Sequence, residues 1–315
     1  MTDIKLYLAP LEGITTYTYR NTHAEIFGSC DTYFSPFINP SDMEKVSRKG
    51  MRDILPENNR VGKLRVQVLT SKADSFLRFC EKIKLYGYRE VDINIGCPAG
   101  TVVKKGRGSG FLQYPDEMER FFSEIFEKSD MEISVKTRIG YSSHDEFPRL
   151  LEIYNKYPIS ELTVHPRTRE EQYGGKADIN DFAFAYNESK NRLCYNGDIR
   201  TAADAEKIAE RFPGISGIML GRGAIMNPAI FRELRGGKPL ETRELVAFSE
   251  KLIERYREVL SSDVFTLHKL KEIWIYAMWN FPEEKKIAKA IKKANTVPEF
   301  ISAISSLPEL KGEKE

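Results

Sequence analysis

Strand-like and helix-like stretches alternate eight times before Gly236, and this alternation restricts the fold more than any other feature of the chain. Runs with strand composition lie at 5–9, 33–38, 64–69, 91–95, 132–136, 161–165, 192–195 and 217–220. Between them fall stretches of helical composition at 17–27, 72–85, from Pro115 onward, and at 145–155, 178–187, 201–212 and 227–234. The polar stretch 39–59 reads as loop with one helix. Such alternation implies parallel strands joined by crossover helices. Eight units suit a closed TIM (β/α)8 barrel. A doubly wound open sheet is the alternative, but it carries a Gly-rich fingerprint after its first strand, and Ala9-Pro10-Leu11-Glu12-Gly13 is not one.

At Gly236-Gly237-Lys238-Pro239 the pattern changes to helices alone. Leu245, Phe248, Leu252, Tyr256 and Val259 recur at helical spacing, and further helices are expected at 265–279, from Pro282 and from Val297-Pro298. Residues 310–315 are expected to fray. The division therefore falls into a barrel of residues 1–236 and a helical domain of residues 237–315.

Composition removes several classes. With 41% hydrophobic and 30% charged residues the chain is globular rather than disordered. A net charge of +2 excludes bulk attraction to polyanions but leaves room for a local basic face. The four cysteines, Cys30, Cys80, Cys97 and Cys194, form no CxxC pair, so neither a zinc site nor a disulfide framework is expected and a reducing, cytoplasmic setting fits. The N-terminal residues lack the pattern of a secretory leader, and no apolar stretch has the length of a membrane span.

In a TIM barrel the reactive residues sit at the C-terminal ends of the strands. Those ends offer Gln67 on strand three, Asn94 and Cys97 after strand four, and Lys136 and Arg138 after strand five. His165 and Arg167 follow strand six, Asn196-Gly197-Asp198 strand seven, and Gly221-Arg222-Gly223 strand eight. Gly96 and Pro98 fix the direction of the Cys97 thiol, because Pro98 restricts the residue before it to extended angles. Lys104, Lys105 and Arg107 follow closely. A reactive thiol facing an anionic substrate and a buried structural cysteine both fit that stretch. The loops after strands seven and eight are where such barrels commonly bind phosphate, and glycines there let backbone N–H groups approach an anion. A lysine within an apolar strand is costly unless it meets an anion or reacts, so Lys136 serves either a Schiff base or a reduced cofactor. His165 is read as a site residue over a satisfied core histidine.

Taken in order, the segments Ala9-Pro10-Leu11-Glu12-Gly13-Ile14-Thr15, Asn94-Ile95-Gly96-Cys97-Pro98, Gly108-Ser109-Gly110-Phe111-Leu112, Val135-Lys136-Thr137-Arg138-Ile139-Gly140, His165-Pro166-Arg167-Thr168, Asn196-Gly197-Asp198-Ile199 and Gly221-Arg222-Gly223-Ala224 resemble the tRNA-dihydrouridine synthases over nearly the whole chain. The resemblance implies a barrel that holds FMN, reduced by NADPH or NADH, and a C-terminal helical domain that binds tRNA. It implies Cys97 as proton donor and Asn94 against the substrate uridine. Pro10, Leu11 and Glu12 would meet the flavin through their backbone. Gln67 and Lys136 would hold its ring, with His165 close by. Asn196, Gly197, Asp198, Gly221 and Arg222 would hold its phosphate, and Arg138 and Arg167 would lie near the RNA. Gly100-Thr101, Val103 and Ile179 depart from the commoner pattern and bear on how RNA is gripped. No obligate protein partner is implied.

Three other readings compete: an FMN barrel acting on a small molecule, similar to dihydroorotate dehydrogenases; a Schiff-base aldolase using Lys136; and a non-catalytic RNA-binding protein. Ribosomal RNA is a further possible substrate. In the C-terminal part, Ile287, Ile291 and Ala294 share one helical face while Lys285, Lys289 and Lys292 lie opposite, with Lys286 and Lys293 beside them. Lysines clustered without acids suit a phosphate backbone.

Overall fold

The computed structural model describes residues 4–40 and 48–309; the remainder of the polar stretch and the expected frayed tail lie outside the described residues. Strands β1 (Lys5–Leu8), β2 (Thr32–Phe34), β3 (Leu64–Val68), β4 (Glu90–Ile95), β5 (Glu132–Gly140), β6 (Leu162–Thr168), β7 (Leu193–Tyr195) and β8 (Gly217–Leu220) close into one barrel in sequence order. β1 pairs in parallel with β8, from Lys5↔Gly217 to Leu8↔Leu220, which leaves no sheet edge.

Around the barrel run α1 (Tyr17–Phe27), α2 (Arg48–Ile54), α3 (Ala73–Lys84), α4 (Gly100–Val103), α5 (Pro115–Lys128), α6 (Phe147–Tyr154), α7 (Ile179–Glu188), α8 (Ala202–Arg211), α9 (Arg222–Met226) and α10 (Ile230–Glu233). Local chemistry sets their starts. Pro115 occupies the first turn of α5, where its missing N–H is no loss, and Asp116 and Glu117 complement the positive end. Thr201 and Asp204 cap α8 reciprocally, and the Asp178 side chain caps α7.

Prolines explain two departures from the expected boundaries. β2 stops at Phe34 rather than residue 38, because Pro36 cannot donate to the ladder; Ile38 regains only an isolated bridge to Val68. The helix expected at 227–234 is shorter, only Ile230–Glu233 (α10); Pro228 lies between it and a separate short helix, α9, which precedes the expected span. In the opposite direction, β5 and β6 run past their expected ends to Gly140 and Thr168, with a register shift between Arg138 and Gly140.

The period of two along each strand separates two environments. Val66, Val68, Val91, Ile93, Ile95, Ile133, Val135, Leu162 and Val164 join the apolar layer under the helices. The alternate positions Gln67, Asp92, Asn94, Ser134, Lys136, Thr163 and His165 are mostly polar. A separate small cluster, Tyr7, Ala9, Phe34, Cys194 and Met219, completes the alternate set. These strands thus carry an unusually polar second face, and that face carries the site.

The C-terminal helices α11 (Thr242–Val259), α12 (Asp263–Ala277), α13 (Lys285–Lys293) and α14 (Val297–Ile304) dock on this frame. Phe248 of α11 meets Tyr19 and Phe27 of α1 edge-on, at ring distances of 5.4 and 5.2 Å. Buried Trp274 of α12 donates its indole N–H to the Ser249 hydroxyl at 2.9 Å and packs on Phe300 of α14. One apolar cluster runs through barrel helices and C-terminal helices alike. The helix expected from Pro282 begins at Lys285. Ile291 and Ala294 are buried beneath α13 while Lys285, Lys289 and Lys292 are exposed. Among the described residues no helix is long and apolar enough to cross a membrane.

Candidate active site

Cys97 sits in the turn after β4, and buried neighbours hold that turn from several sides. The Asn94 Oδ1 accepts the N–H of Gly96 at 3.0 Å and of Cys97 at 2.9 Å. The Asn94 amide donates to Gln67 Oε1 at 2.8 Å, and Gln67 donates in turn to Asp92 Oδ2 at 2.7 Å. Ser134 closes the chain by donating to Asp92 Oδ1 at 2.6 Å. Asp92 is fully buried; burial raises its pKa against the opposing pull of these donors and of Arg65 and Lys136. On the other side, Arg138 Nε donates to Gly96 O at 2.9 Å, and the Ser109 hydroxyl donates to Cys97 O at 2.9 Å. Gly108 lies at φ +54°, and a Cβ there would come within 2.8 Å of Cys97 O, so only glycine lets this loop close on the cysteine. Burial holds the Cys97 thiol above its usual pKa, with smaller opposing effects from the Ala99 backbone, Lys136 and Arg138. The thiol therefore keeps its proton at neutral pH.

A cavity opens beside this turn. Its wall combines Ala9, Pro10 and Leu11 after β1, Lys136 of β5, His165 of β6, residues 196–200 after β7 and residues 219–223 of β8 and its loop, with Tyr173 across it. The two last loops are tied together. Asn196 donates to Met219 O at 2.8 Å. Asp198 accepts from Arg167 at 2.5 Å, from the Ala177 amide at 2.9 Å and from Arg222 at 3.3 Å. Burial works to raise the Asp198 pKa, but these donors outweigh it and hold the carboxylate below its ordinary range. A Cβ on Gly223 would stand 2.0 Å from Ile199 O, so this glycine permits loop-to-loop contact.

The charges on the wall are unbalanced. The Lys136 ammonium has neither hydrogen bond nor salt bridge among the described residues. Burial, and then Arg138, lower its pKa to about 8, against a weaker opposing pull from Asp92. His165 is pushed well below its usual value by burial and by Arg138, Lys136, Arg167 and Arg222. Its Nε2 lies 3.0 Å from Arg167 Nη1. A guanidinium only donates, so the imidazole is neutral, with Nε2 accepting and the proton on Nδ1. The wall thus combines a cation without an ion-pair partner, a neutral histidine and two glycine-bearing loops tied by Asp198, with a protonated thiol in the neighbouring turn.

Not every expected residue reaches the wall. Pro10, Leu11, Lys136, His165, Asn196, Gly197, Asp198, Gly221 and Arg222 meet there. Cys97, Gln67 and Asn94 are not among the lining residues: Cys97 is half-buried in its turn, and Gln67 and Asn94 are buried with their amides on Asp92 and the Cys97 turn. Glu12 is exposed and lines a second cavity with Tyr17, Arg52, Asp53, Tyr256 and Lys269. Arg138 and Arg167, expected near the RNA, are each 1% exposed. Their guanidinium groups bond Gly96 O and Thr168 O, and Gly174 O and Gly175 O, respectively. The correction is physical: buried arginines on backbone carbonyls hold loops and do not face a polyanion.

Two wall residues were not expected. Tyr173 lies over Arg222 at 4.7 Å and Arg138 at 5.3 Å, and Arg200 enters from the loop after β7. Tyr173 stands in the polar stretch Glu170-Glu171-Gln172-Tyr173-Gly174-Gly175, whose single aromatic was the only signal available.

Fold and cavity together define a TIM barrel with a charged cavity at the C-terminal ends of its strands, where barrels of this kind carry their active sites. The family described as dihydrouridine synthase (Dus) matches residues 7–305, and the chain belongs to that family of oxidoreductases. It is 28% identical to a probable tRNA-dihydrouridine synthase of Staphylococcus aureus strain Mu50, over 80% of this chain and 78% of that protein. It is 26% identical to tRNA-dihydrouridine synthase B of Pasteurella multocida strain Pm70, over 81% and 75%. Among solved structures, morphinone reductase superposes with TM-score 0.51 at 12% identity, over 75% of this chain and 86% of that one. A variant of NCR from Zymomonas mobilis gives TM-score 0.53 at 13% identity, over 75% and 88%. These two likenesses concern the fold.

Proposed function

We propose that the protein is a tRNA-dihydrouridine synthase: it reduces the carbon 5–carbon 6 double bond of specific uridines in tRNA, using FMN and NADPH or NADH. The observation that carries this reading is Lys136, a half-buried cation whose ammonium has no ion-pair partner among the described residues, on the same cavity wall as the loops after β7 and β8. A cofactor that is anionic both at its phosphate and, when reduced, at its ring fits that wall. The phosphate belongs at Gly197, Gly221 and Arg222, and Lys136 offsets the ring charge. The cavity is small, about 80 Å³, and opens to solvent, with Tyr173 on its wall.

When bound, FMN supplies the hydride that adds at uracil carbon 6 after its own reduction by NADPH or NADH. The remaining steps belong to the chain. Uracil's double bond is conjugated to a carbonyl, so carbon 5 then takes a proton. Cys97 holds that proton on a thiol kept neutral by burial. Asn94, Gln67 and Asp92 keep the thiol's turn in place. Neutral His165 can donate from Nδ1 without adding charge beside Lys136. The target base must leave its stack to reach the cavity. We further propose that residues 1–236 perform the chemistry and residues 237–315 grip the RNA. The four free thiols among the described residues suit a reducing cytoplasm.

Two results test the reading. The purified chain should show a flavin spectrum, and Arg222→Ala should weaken flavin retention about 10- to 100-fold, as expected for one charged hydrogen bond. Full flavin in that variant would place the phosphate elsewhere. Changing Lys285, Lys289 and Lys292 together to Ala should lower RNA affinity and reduce its salt slope by roughly one unit for each phosphate no longer neutralised, with flavin content unchanged. An unaltered salt slope would make the α13 face merely solvated and direct attention to Lys104, Lys105 and Arg107.

A further inference from the structure

Arg200 and Trp279 join the cavity to the lysine-bearing helix, and neither has a place in the chemistry above. Arg200 lines the cavity, and its guanidinium lies 4.7 Å from the centre of the Trp279 ring. Trp279 is 42% exposed although it is one of only two tryptophans in the chain; the other, Trp274, is buried. Tyr276 packs against it edge-on at 5.9 Å. Both halves of the pair stand on fixed backbone. The Arg200 N–H bonds Asp204 at 3.0 Å, at the start of α8. The Trp279 turn is pinned by Asn280, whose amide donates to Met226 O at 2.7 Å and to Ala277 O at 3.1 Å. Met226 ends α9, the helix that begins at the cavity residue Arg222, and Lys285 opens α13 six residues after Trp279.

With one side against Tyr276 and Arg200 and 42% of its surface open to solvent, the indole is not explained by core packing alone. A rigid aromatic paired with a guanidinium is what an unstacked nucleobase recognises, through its face and independently of its identity. We propose that the Arg200–Trp279 pair seats an unpaired nucleobase of the RNA substrate adjacent to the uridine that enters the cavity. This rests on the reading that RNA is the substrate. The seat lies along the chain between the α13 lysines, which suit the phosphate backbone, and the cavity mouth. It offers a stacking partner to a neighbour that loses its own when the target uridine leaves the stack.

Two replacements that both keep an apolar side chain separate stacking from packing: Trp279→Phe retains a ring and Trp279→Leu does not. RNA dissociation constants and KM are measured with an unmodified tRNA transcript, with flavin content and melting temperature as controls of the fold. Trp279→Leu should raise both constants about 10-fold, the scale of one base stack, with kcat within about twofold. Trp279→Phe should stay within about threefold of wild type. Wild-type affinity in Trp279→Leu overturns the proposal, and so does an equal loss in both variants, which would mark a packing role. A wild-type chain that binds no RNA overturns the underlying reading instead, a result distinct from either variant's.

Discussion

Cys97→Ala is expected to purify with a full complement of flavin and to form dihydrouridine about 100- to 10,000-fold more slowly than wild type, the usual contribution of a positioned general acid. The thiol lies outside the cavity wall formed by Lys136, His165 and the loops after β7 and β8, so its loss leaves that wall intact. Its turn is fixed by Asn94, Arg138 and Ser109 through backbone atoms of Gly96 and Cys97, none of which the substitution removes. The rate should therefore fall without loss of fold or cofactor. Because burial raises the thiol's pKa, wild-type activity should hold to a higher pH than a free thiol allows and decline only as that proton is lost. Dihydrouridine formation at the wild-type rate by the alanine variant would reduce Cys97 to a packing residue.

Lys136→Met is expected to pull activity and stability in opposite directions. In the flavin-free chain the ammonium is desolvated with no hydrogen-bonded partner, and its pKa falls from 10.5 to about 8. A cation whose folded pKa is lowered costs stability below that value, and the cost is relieved as pH rises through the window from about 8 to 10.5. At neutral pH the cost is on the order of 3 kcal/mol. The methionine variant should accordingly be more stable without flavin by up to that amount near pH 7, with the gain shrinking toward pH 10. It should also hold reduced flavin poorly and lose most of its activity, a trade between stability and function. Denaturant unfolding of flavin-free protein at several pH values reads the first effect. A variant no more stable than wild type at pH 7, or an advantage that grows with pH, would mean that Lys136 is neutralised by something else.

Much of the barrel was legible because its cause is local. Eight alternations of period-two and helical patterns survive any tertiary detail, and prolines shift only the boundaries, as at Pro36 and Pro228. Candidate residues at strand ends were legible for the same reason, since a polar residue in an apolar strand announces itself. Asp92 met that criterion as well as Lys136 did, yet its part in holding Gln67 was invisible, because the bond joins β3 to β4. The extension of β5 to Gly140 was hidden by Arg138. A charged residue reads as the end of a strand unless one knows that Gly96 O and Thr168 O await it. The same ignorance of partners turned Arg138 and Arg167 into expected neighbours of the RNA. Tyr173 and Arg200 reach the cavity from loops, where no periodicity marks a residue's direction.

The central claim is that this cavity reduces uridine within RNA. Its most direct test is nucleoside mass spectrometry of an unmodified tRNA transcript incubated with the purified, flavin-loaded chain and NADPH. The account predicts that particular uridines gain two hydrogens and that Cys97→Ala, incubated for the time in which wild type goes to completion, converts at most about one in a hundred of them. Flavin-loaded protein that oxidises NADPH yet leaves every tRNA uridine intact would contradict it, and would favour a small-molecule or ribosomal RNA substrate for the same barrel.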